Sequence, residues 1–335
     1  MSYIAIIKEG ISTVHKNWQL IIVQFVSMVL SFMGFFVIVG MPIAVAFIIF
    51  DLDLTEILRF KDLASVFKGS AELLQKYFLM AIIIILSLLL YIAFIVILWV
   101  FTISGTIGIL KNDILNTGIR FSMKTFFAEG RSFFFLVFFF SAIIGAVFIF
   151  LAFMLGLLGG GASAIIEIAK TQEASLAIFL GVFFSLLILS IGIFLIIVIL
   201  SIASYGIAYL AFNRSKSIET FKETVKYLYS RPSSVGFYAV LLLGYMAVGF
   251  LVILIGSPLA FMPIIGPILA LPYQIITYAI QGYLSLVMLS SIFYYYHKTG
   301  YSSPFPDSIE DSGTSQTIEA SQLHSPKKKA ERQQE

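Results

Sequence analysis

The sequence predicts an all-α protein, a polytopic transmembrane helical bundle with about six spans. Three observations predict it: 60% of the 335 residues are hydrophobic, only 12% are charged, and five long stretches carry no charge at all. These stretches are residues 18–50, 78–110, 132–166, 174–213 and 234–296. Soluble domains carry about 25% charged residues. The composition therefore excludes a water-soluble, a disordered or a fibrous protein.

The lengths of the five stretches assign the spans. A helix needs about 20 apolar residues to cross a hydrocarbon core about 30 Å thick. Each of the first four stretches is long enough for one crossing and too short for two, with the excess taken up by tilt. The fifth stretch holds two spans, separated by residues 256–272. The first stretch far exceeds a signal-peptide core of about 7–15 residues, so we expect it to be an uncleaved first span.

Proline and glycine mark two irregular points in these spans. Gly40-Met41-Pro42 is expected to bend the outer third of the first span, because proline lacks a backbone donor. The segment 256–272 has two interpretations. It is either an apolar outer turn or a re-entrant segment at a transport site, where free carbonyls bind an ion. Its prolines are Pro258, Pro263, Pro267 and Pro272.

The distribution of lysine and arginine predicts the orientation. With six spans, sixteen basic residues lie on the side of both termini and five on the other side. Because cytoplasmic segments are enriched in basic residues, both termini are expected in the cytoplasm. The segment 51–77 is the weakest part of this assignment, since four of the five basic residues on the outer side belong to it.

Short mixed-polarity segments precede several spans and predict a repeated unit. They read as amphipathic elbow helices that lie in the membrane interface. They occupy residues 9–16, 66–76, 119–127 and 218–226. The even-numbered spans share patches of small and polar residues at 102–106, 201–205 and 279–283. We therefore expect three elbow-plus-hairpin units in parallel orientation.

Small residues at matching depths are candidates for close helix packing, because they let backbones approach. In the shared patches these are Gly105, Ser204 and Gly282. Gly156 and Gly160 form a further pair with GxxxG spacing. This pair is either a close helix contact or a flexible approach to a short loop at 167–173.

The residue types exclude several chemistries. The chain has no cysteine, and its three histidines lie far apart, so neither a catalytic thiol nor a metal site is expected. The net charge of +3 is too small to indicate nucleic acid as a partner. An intramembrane proton relay, voltage sensor or hydrolase needs ionisable groups, and the five stretches contain none. We predict no catalytic residue, no cofactor and no enzyme activity.

The neutral polar residues of the sixth span are the candidate functional residues. Their spacing places them on one helical face. They are Gln274, Thr277, Tyr278, Gln281 and Ser285. They either line a pathway or lipid-headgroup groove, or form interhelical hydrogen bonds. Gln24, Ser27 and Ser31 form a smaller stripe on the first span that we pair with them.

The chain divides into three parts by composition. Residues 1–17 form a cytoplasmic amphipathic segment and residues 18–296 the six-span domain. Residues 297–335 are polar, cannot bury a core, and are expected to be a disordered cytoplasmic tail. Its lysines 327–329 either contact anionic lipid or are simply solvated.

The elbow-and-hairpin layout, with the patches Thr102–Gly108, Ser201–Gly206 and Ala279–Ser285, resembles a loose group of six-helix prokaryotic membrane proteins of unknown function. That group includes the membrane domain attached to some glycerophosphodiester phosphodiesterases. The resemblance covers about residues 5–297 and implies the fold, a prokaryotic membrane and an association with lipid metabolism. It carries over no catalytic residue.

Two functions from different classes follow. The first is a non-catalytic component of a prokaryotic plasma membrane that binds lipids, a membrane-protein partner or a second copy of itself. The second is a transporter or channel-like protein for a neutral or lipidic solute.

Overall fold

The computed structural model describes residues 2–49, 78–115, 117, 121–258 and 265–301. Within these ranges every regular element is helical, which confirms the all-α fold. Six helical segments are long and apolar enough to cross a membrane. They are Gln19–Ala46, Ile82–Ile114, Met123–Gln172, Ala174–Asn213, Ser233–Gly256 and Pro272–Thr299.

The helices are numbered here in chain order. The first region contains α1 (Tyr3–Lys16), α2 (Gln19–Phe35), a π-helical turn (Phe36–Gly40) and α3 (Met41–Ile49). The central region contains α4 (Phe78–Ile114), α5 (Met123–Gln172) and α6 (Ala174–Asn213). The last region contains α7 (Ser217–Ser230), α8 (Ser233–Gly256) and α9 (Ile265–Thr299).

The π-helical turn lies where the sequence predicted an irregularity in the first span. Pro42 has no N–H to donate to the Ile38 carbonyl, so the regular α-helical ladder cannot continue through this point. The chain instead widens at Phe36–Gly40 and resumes as α3. Such π-helical turns are a recognised cause of irregularity in long helices.

Two of the expected elbow segments form separate amphipathic helices. In α1 the buried residues are Ile6, Gly10, Thr13 and Val14, which share one face. In α7 they are Thr220, Thr224 and Leu228, each one turn after the last. The remaining face of each helix is largely polar and exposed. Both helices precede a span, as a repeated elbow requires.

The elbow expected at 119–127 is not a separate helix in the described residues. Ser122 caps α5 by accepting a hydrogen bond from the Thr125 N–H at 3.1 Å. From Met123 the helix continues without a break to Gln172. Its first turns stay straight because they pack against the end of α4. The elbow expected at 66–76 lies outside the described residues, as does the segment 51–77.

Each entry into an odd-numbered span packs on the end of an even-numbered one. The helix α1 packs on α9, where Gly10 faces Ser291 so closely that a Cβ would overlap its Oγ. The start of α5 packs on α4, where Phe126 covers Gly105. The helix α7 packs on α6, with the Tyr205 and Tyr227 rings 5.6 Å apart. This arrangement is consistent with three elbow-plus-hairpin units.

The turns between helices are shorter than the sequence suggested. The loop expected at 167–173 is helical through Gln172, and only Glu173 breaks the chain between α5 and α6. The break expected at 256–272 ends by Ile265, so Pro267 and Pro272 lie within α9. Tyr273 contacts Gly256 and donates to the Val252 carbonyl, which joins α8 and α9 as a hairpin.

The buried core lies near the ends that carry α1 and α7. Its largest fully buried side chains include Tyr205, Phe133, Phe140, Phe237 and Phe293. Farther along the spans the surface is apolar and exposed, as contact with lipid requires. The helix α9 continues through Thr299, three residues into the predicted tail. The rest of the predicted tail, residues 302–335, lies outside the described residues.

Candidate functional site

A cavity of about 790 Å³ lies between α2, α4, α6, α8 and α9. We name it the central cavity. Its volume falls within the range of about 300–1,000 Å³ that is usual for small-molecule sites. None of the described residues that line it is charged. Its polar lining consists of Gln24, Ser27, Ser31, Tyr91, Thr102, Thr106, Ser204, Tyr238, Tyr245 and Ser285.

A smaller cavity of about 240 Å³ adjoins it between α2, α8 and α9. We name it the side cavity. The two cavities share four lining residues, which are Gln24, Met28, Tyr245 and Ser285. Tyr278, Gln281 and Gly282 line the side cavity only. Because the lining residues are shared, the polar surface is continuous from one cavity to the other.

The structure divides the stripe predicted on the sixth span. Tyr278, Gln281 and Ser285 line the cavities and lie with Gln24 of the first span. Gln274 is exposed and lies outside both cavities. Thr277 also lies outside them, and its buried Oγ1 has no hydrogen-bond partner among the described residues.

Gly282 is the point of closest approach between α2 and α9 in the site. A Cβ at this position would lie 2.7 Å from Gln24 Oε1. The missing side chain therefore leaves the space that the Gln24 amide occupies. Ser204 lines the central cavity and forms a hydrogen bond with the Tyr238 hydroxyl.

The two glycines of the GxxxG pair make no close contact. A Cβ at Gly156 or Gly160 would meet no other described atom within 4 Å. The helix contact expected there is thus absent from the described part of the chain. Close approaches occur instead at Gly10, Gly108 and Gly206, where a Cβ would overlap Ser291, Glu129 and Phe140.

Hydroxyl groups in the central cavity donate mainly to their own helices. Thr102 Oγ1 donates to the Leu98 carbonyl at 2.8 Å, and Thr106 Oγ1 donates to the Thr102 carbonyl at 2.8 Å. Ser285 Oγ donates to the Gly282 carbonyl at 2.8 Å. Thr102 Oγ1 also lies 3.2 Å from Ser27 Oγ and accepts from it, since its own hydrogen is engaged. The hydroxyl oxygens of Thr106 and Ser285 offer free lone pairs to the cavity. The cavity wall is therefore rich in acceptors.

Three polar side chains at the junction of the cavities have no partner. Gln24, Tyr245 and Gln281 are half-buried, and none makes a hydrogen bond within the described residues. A polar group without a partner in a bilayer costs several kcal/mol. Two amides and a phenol supply both donors and acceptors. The junction is therefore suited to a molecule with a small, neutral polar group.

Phe32 of α2 and Trp99 of α4 line the central cavity, yet they are 64% and 55% exposed, so the cavity has an opening to the outer surface beside them. At about 1.5 Å per residue, Phe32 lies about 20 Å along its span from Gln19, and Trp99 about 22 Å from Ile114. These depths fall within the hydrocarbon layer. A molecule would reach the cavity through this opening from the bilayer.

A charged cluster at the end of α4 was missed from the sequence. Glu129 Oε2 lies 3.7 Å from Arg214, and Asn112 Nδ2 donates to Glu129 Oε1 at 3.2 Å. The Arg214 guanidinium lies 4.8 Å from the centre of the Phe133 ring. These contacts join α4, α5 and the end of α6. The cluster lines neither cavity.

A metal centre has no candidate in the described ranges, since no group of three histidine or acidic side chains comes together there.

Tyr245 and Tyr238 were also missed from the sequence. Their spacing of seven residues on a charge-free span was the signal, since it places both hydroxyls on one face.

No protein-family model, no curated protein and no solved structure matches this chain.

Proposed function

We propose that this protein is a non-catalytic integral membrane protein that binds an amphipathic, lipid-like molecule in its central cavity. The observation that carries the proposal is a set of three unpartnered polar groups in two neutral cavities: Gln24 and Tyr245 in the shared wall, and Gln281 beside them in the side cavity. The polar end of the ligand satisfies these groups. Its apolar part lies along the side chains of α4 and α9.

A neutral ligand fits the chemistry of the site. An ion would leave an uncompensated charge at membrane depth, which is costly. A ligand with hydroxyl groups, such as a glycerolipid with an uncharged head, donates to the free oxygens of Thr106 and Ser285. We propose that the protein performs no covalent chemistry, because the five charge-free stretches contain no acidic, basic or histidine side chain to activate a nucleophile.

The opening at Phe32 and Trp99 supports a second function, transport of a neutral or lipidic solute. A lateral opening lets a lipid enter from the bilayer without crossing water. We further propose that the membrane is the plasma membrane of a prokaryote with both termini in the cytoplasm, on the distribution of basic residues and the family resemblance. A membrane-protein partner or a second copy remains part of the proposal.

Ligand retention tests the binding function. The protein is purified in a mild detergent from cells, and co-purifying lipids are measured by native mass spectrometry. We expect one neutral lipid to remain bound to the wild type, and Gln24→Leu and Gln281→Leu each to lower its occupancy at least fivefold. Gln274→Leu is the matched control, because it removes the same amide from the same helix outside the cavities.

Two outcomes count against this function. Equal lipid occupancy in the wild type and the three variants would show that the cavity does not hold the lipid. Loss of the lipid in Gln274→Leu alone would show that the lipid binds outside the two cavities. Reconstitution into liposomes separates binding from transport. Flux of the retained lipid between leaflets, lost in Gln281→Leu and kept in Gln274→Leu, supports the transporter, whereas retention without flux supports binding alone.

A further inference from the structure

A third cavity of about 870 Å³ lies between α5 and α7, away from the central cavity. We name it the α5–α7 groove. One wall is apolar and belongs to α5: Leu136, Phe139, Ala142, Ile143 and Ala146. The other wall belongs to the start of α7: Lys216, Ser217, Ile218, Glu219, Lys222 and Glu223. The groove thus joins a hydrocarbon surface to a charged one.

The depth of the groove matches the edge of a bilayer. Ser217 Oγ donates to the Leu136 carbonyl at 3.2 Å, which holds the start of α7 against α5. From Leu136 the apolar wall runs ten residues to Ala146, or about 15 Å along the helix. This wall lies in the charge-free stretch 132–166, whereas α7 is the amphipathic interface helix. The groove therefore extends from headgroup level into the hydrocarbon.

The charged wall carries two cations and two anions. Glu223 lies 3.9 Å from Lys226, a pair exposed enough to exchange partners. Lys216, Lys222 and Glu219 make no ion pair or side-chain hydrogen bond among the described residues. Lysines and glutamates alternate along the wall, so its formal charge is zero. This pattern is complementary to a headgroup that carries one charge of each sign.

We propose that the α5–α7 groove binds a phospholipid with a zwitterionic headgroup and a primary amine. Lys216 and Lys222 contact its phosphate, and Glu219 and Glu223 contact its ammonium. One acyl chain lies along Phe139, Ala142 and Ala146. The occupant and the site differ from those of the proposed function, which places an uncharged molecule in the central cavity.

Competing headgroups fit less well. An anionic glycerol headgroup offers the lysines a phosphate but leaves both carboxylates without a cation. A choline headgroup carries a positive charge, yet its methylated nitrogen has no N–H to donate to the carboxylates. The four side chains therefore select for an ethanolamine-type headgroup by charge and by hydrogen bonding.

Lipid titration of the delipidated full-length protein tests the site. Native mass spectrometry compares phosphatidylethanolamine, phosphatidylglycerol and phosphatidylcholine with identical acyl chains. We expect the ethanolamine lipid to bind several-fold tighter than either of the others. Lys216→Ala with Lys222→Ala should weaken all three, by about fivefold per lysine. The matched control, Lys8→Ala with Lys124→Ala, removes two exposed cationic residues outside the groove and should change nothing.

The carboxylates decide the selectivity. Glu219→Gln with Glu223→Gln should lose the preference for ethanolamine and gain affinity for the glycerol headgroup. Ala142→Trp fills the exposed apolar wall without entering the core and should lower the affinity for all three lipids. Wild type binding the glycerol lipid as tightly as the ethanolamine lipid overturns the proposal. Unchanged selectivity in the double glutamine variant, with folding verified by size-exclusion chromatography, overturns it as well.

The proposals for the two sites can be contradicted independently. Gln24→Leu and Gln281→Leu should leave the ethanolamine preference intact, because neither residue lines the groove. If the wild type retains no neutral lipid but prefers the ethanolamine headgroup, only the proposed function is contradicted. If it retains the neutral lipid but shows no headgroup preference, only the proposal for the α5–α7 groove is contradicted.

Discussion

Gln24 Oε1 occupies the space that a side chain at Gly282 would need, 2.7 Å from the position of its Cβ. This relationship joins the first and last spans at the junction of the two cavities. It makes Gly282 a residue of the site rather than of helix packing alone. A methyl group here displaces a flexible amide, whereas a methyl group at Gly10 meets backbone and one at Gly206 meets an aromatic ring.

Gly282→Ala is expected to weaken ligand retention more than stability. The Gln24 amide can swing away from the new methyl group, so the cost to folding should stay below about 1 kcal/mol. The displaced amide no longer points into the junction, so occupancy of the retained lipid should fall several-fold. Thermal unfolding by intrinsic fluorescence and native mass spectrometry measure the two effects. A large loss of stability with unchanged occupancy would contradict this expectation.

Gly10→Ala is expected to destabilise the fold. The added methyl group overlaps Ser291 Oγ and approaches the Ser291 backbone N to 3.0 Å, and a backbone cannot swing aside. Overpacking of this kind costs about 1–3 kcal/mol. Gly156→Ala is the control, since no described atom lies within 4 Å of its new Cβ. The control should gain up to about 1 kcal/mol from helix propensity. Equal melting temperatures for the two variants would show that α1 does not pack tightly on α9.

Tyr227 is expected to make stability fall at high pH. Burial raises the pKa of Tyr227 above its ordinary value, although hydrogen bonds with Ser234 and Thr299 act in the opposite direction. Its unfolded form therefore loses the proton first, near pH 10. The stabilisation is complete below that pH and is lost as the pH rises through the folded pKa. Tyr227→Phe cannot ionise and lacks this loss.

Melting temperatures between pH 7 and pH 11 measure this effect. At neutral pH Tyr227→Phe should be less stable by about 1–2 kcal/mol, because two hydrogen bonds are gone. The difference from wild type should narrow above pH 10. A constant difference across the range would show that Tyr227 does not contribute to the alkaline transition.

The absence of cysteine makes the orientation directly measurable. Thr171→Cys places a thiol at the turn between α5 and α6, and Tyr229→Cys places one on α7, where the native side chain is 90% exposed. A membrane-impermeant maleimide added to intact cells should label Thr171→Cys. It should label Tyr229→Cys only after the cells are permeabilised. The reverse pattern would place both termini outside.

The spans could be predicted because lipid excludes charge from a crossing helix whatever its neighbours are. The elbows α1 and α7 followed from their amphipathic spacing. The continuous start of α5 did not, because the mixed-polarity segment 119–127 suggested a separate interface helix. Just beyond it, Glu129 is held against α4 by Asn112 and against the end of α6 by Arg214.

The site could be predicted only in part. The polar spacing on α9 predicts that Tyr278, Gln281 and Ser285 share one face, whereas their convergence with Gln24 in one cavity is a property of the fold. The spacing of Tyr238 and Tyr245 places both on one face of α8, but the sequence does not show which helices that face meets. The same reason explains why Gly156 and Gly160 look like contacts in the sequence and are not.

The unequal helices give the molecule unequal hydrophobic heights. The charge-free part of α5, residues 132–166, is about 52 Å long at 1.5 Å per residue, whereas the 24-residue helix α8 is about 36 Å long. A bilayer of one thickness cannot match both sides of the bundle. The surrounding lipids must thicken, or the helices tilt, next to α5 and α6, while the lipids beside α8 need no such adjustment. The protein therefore either tilts its long helices or imposes a thickness gradient on the membrane around it.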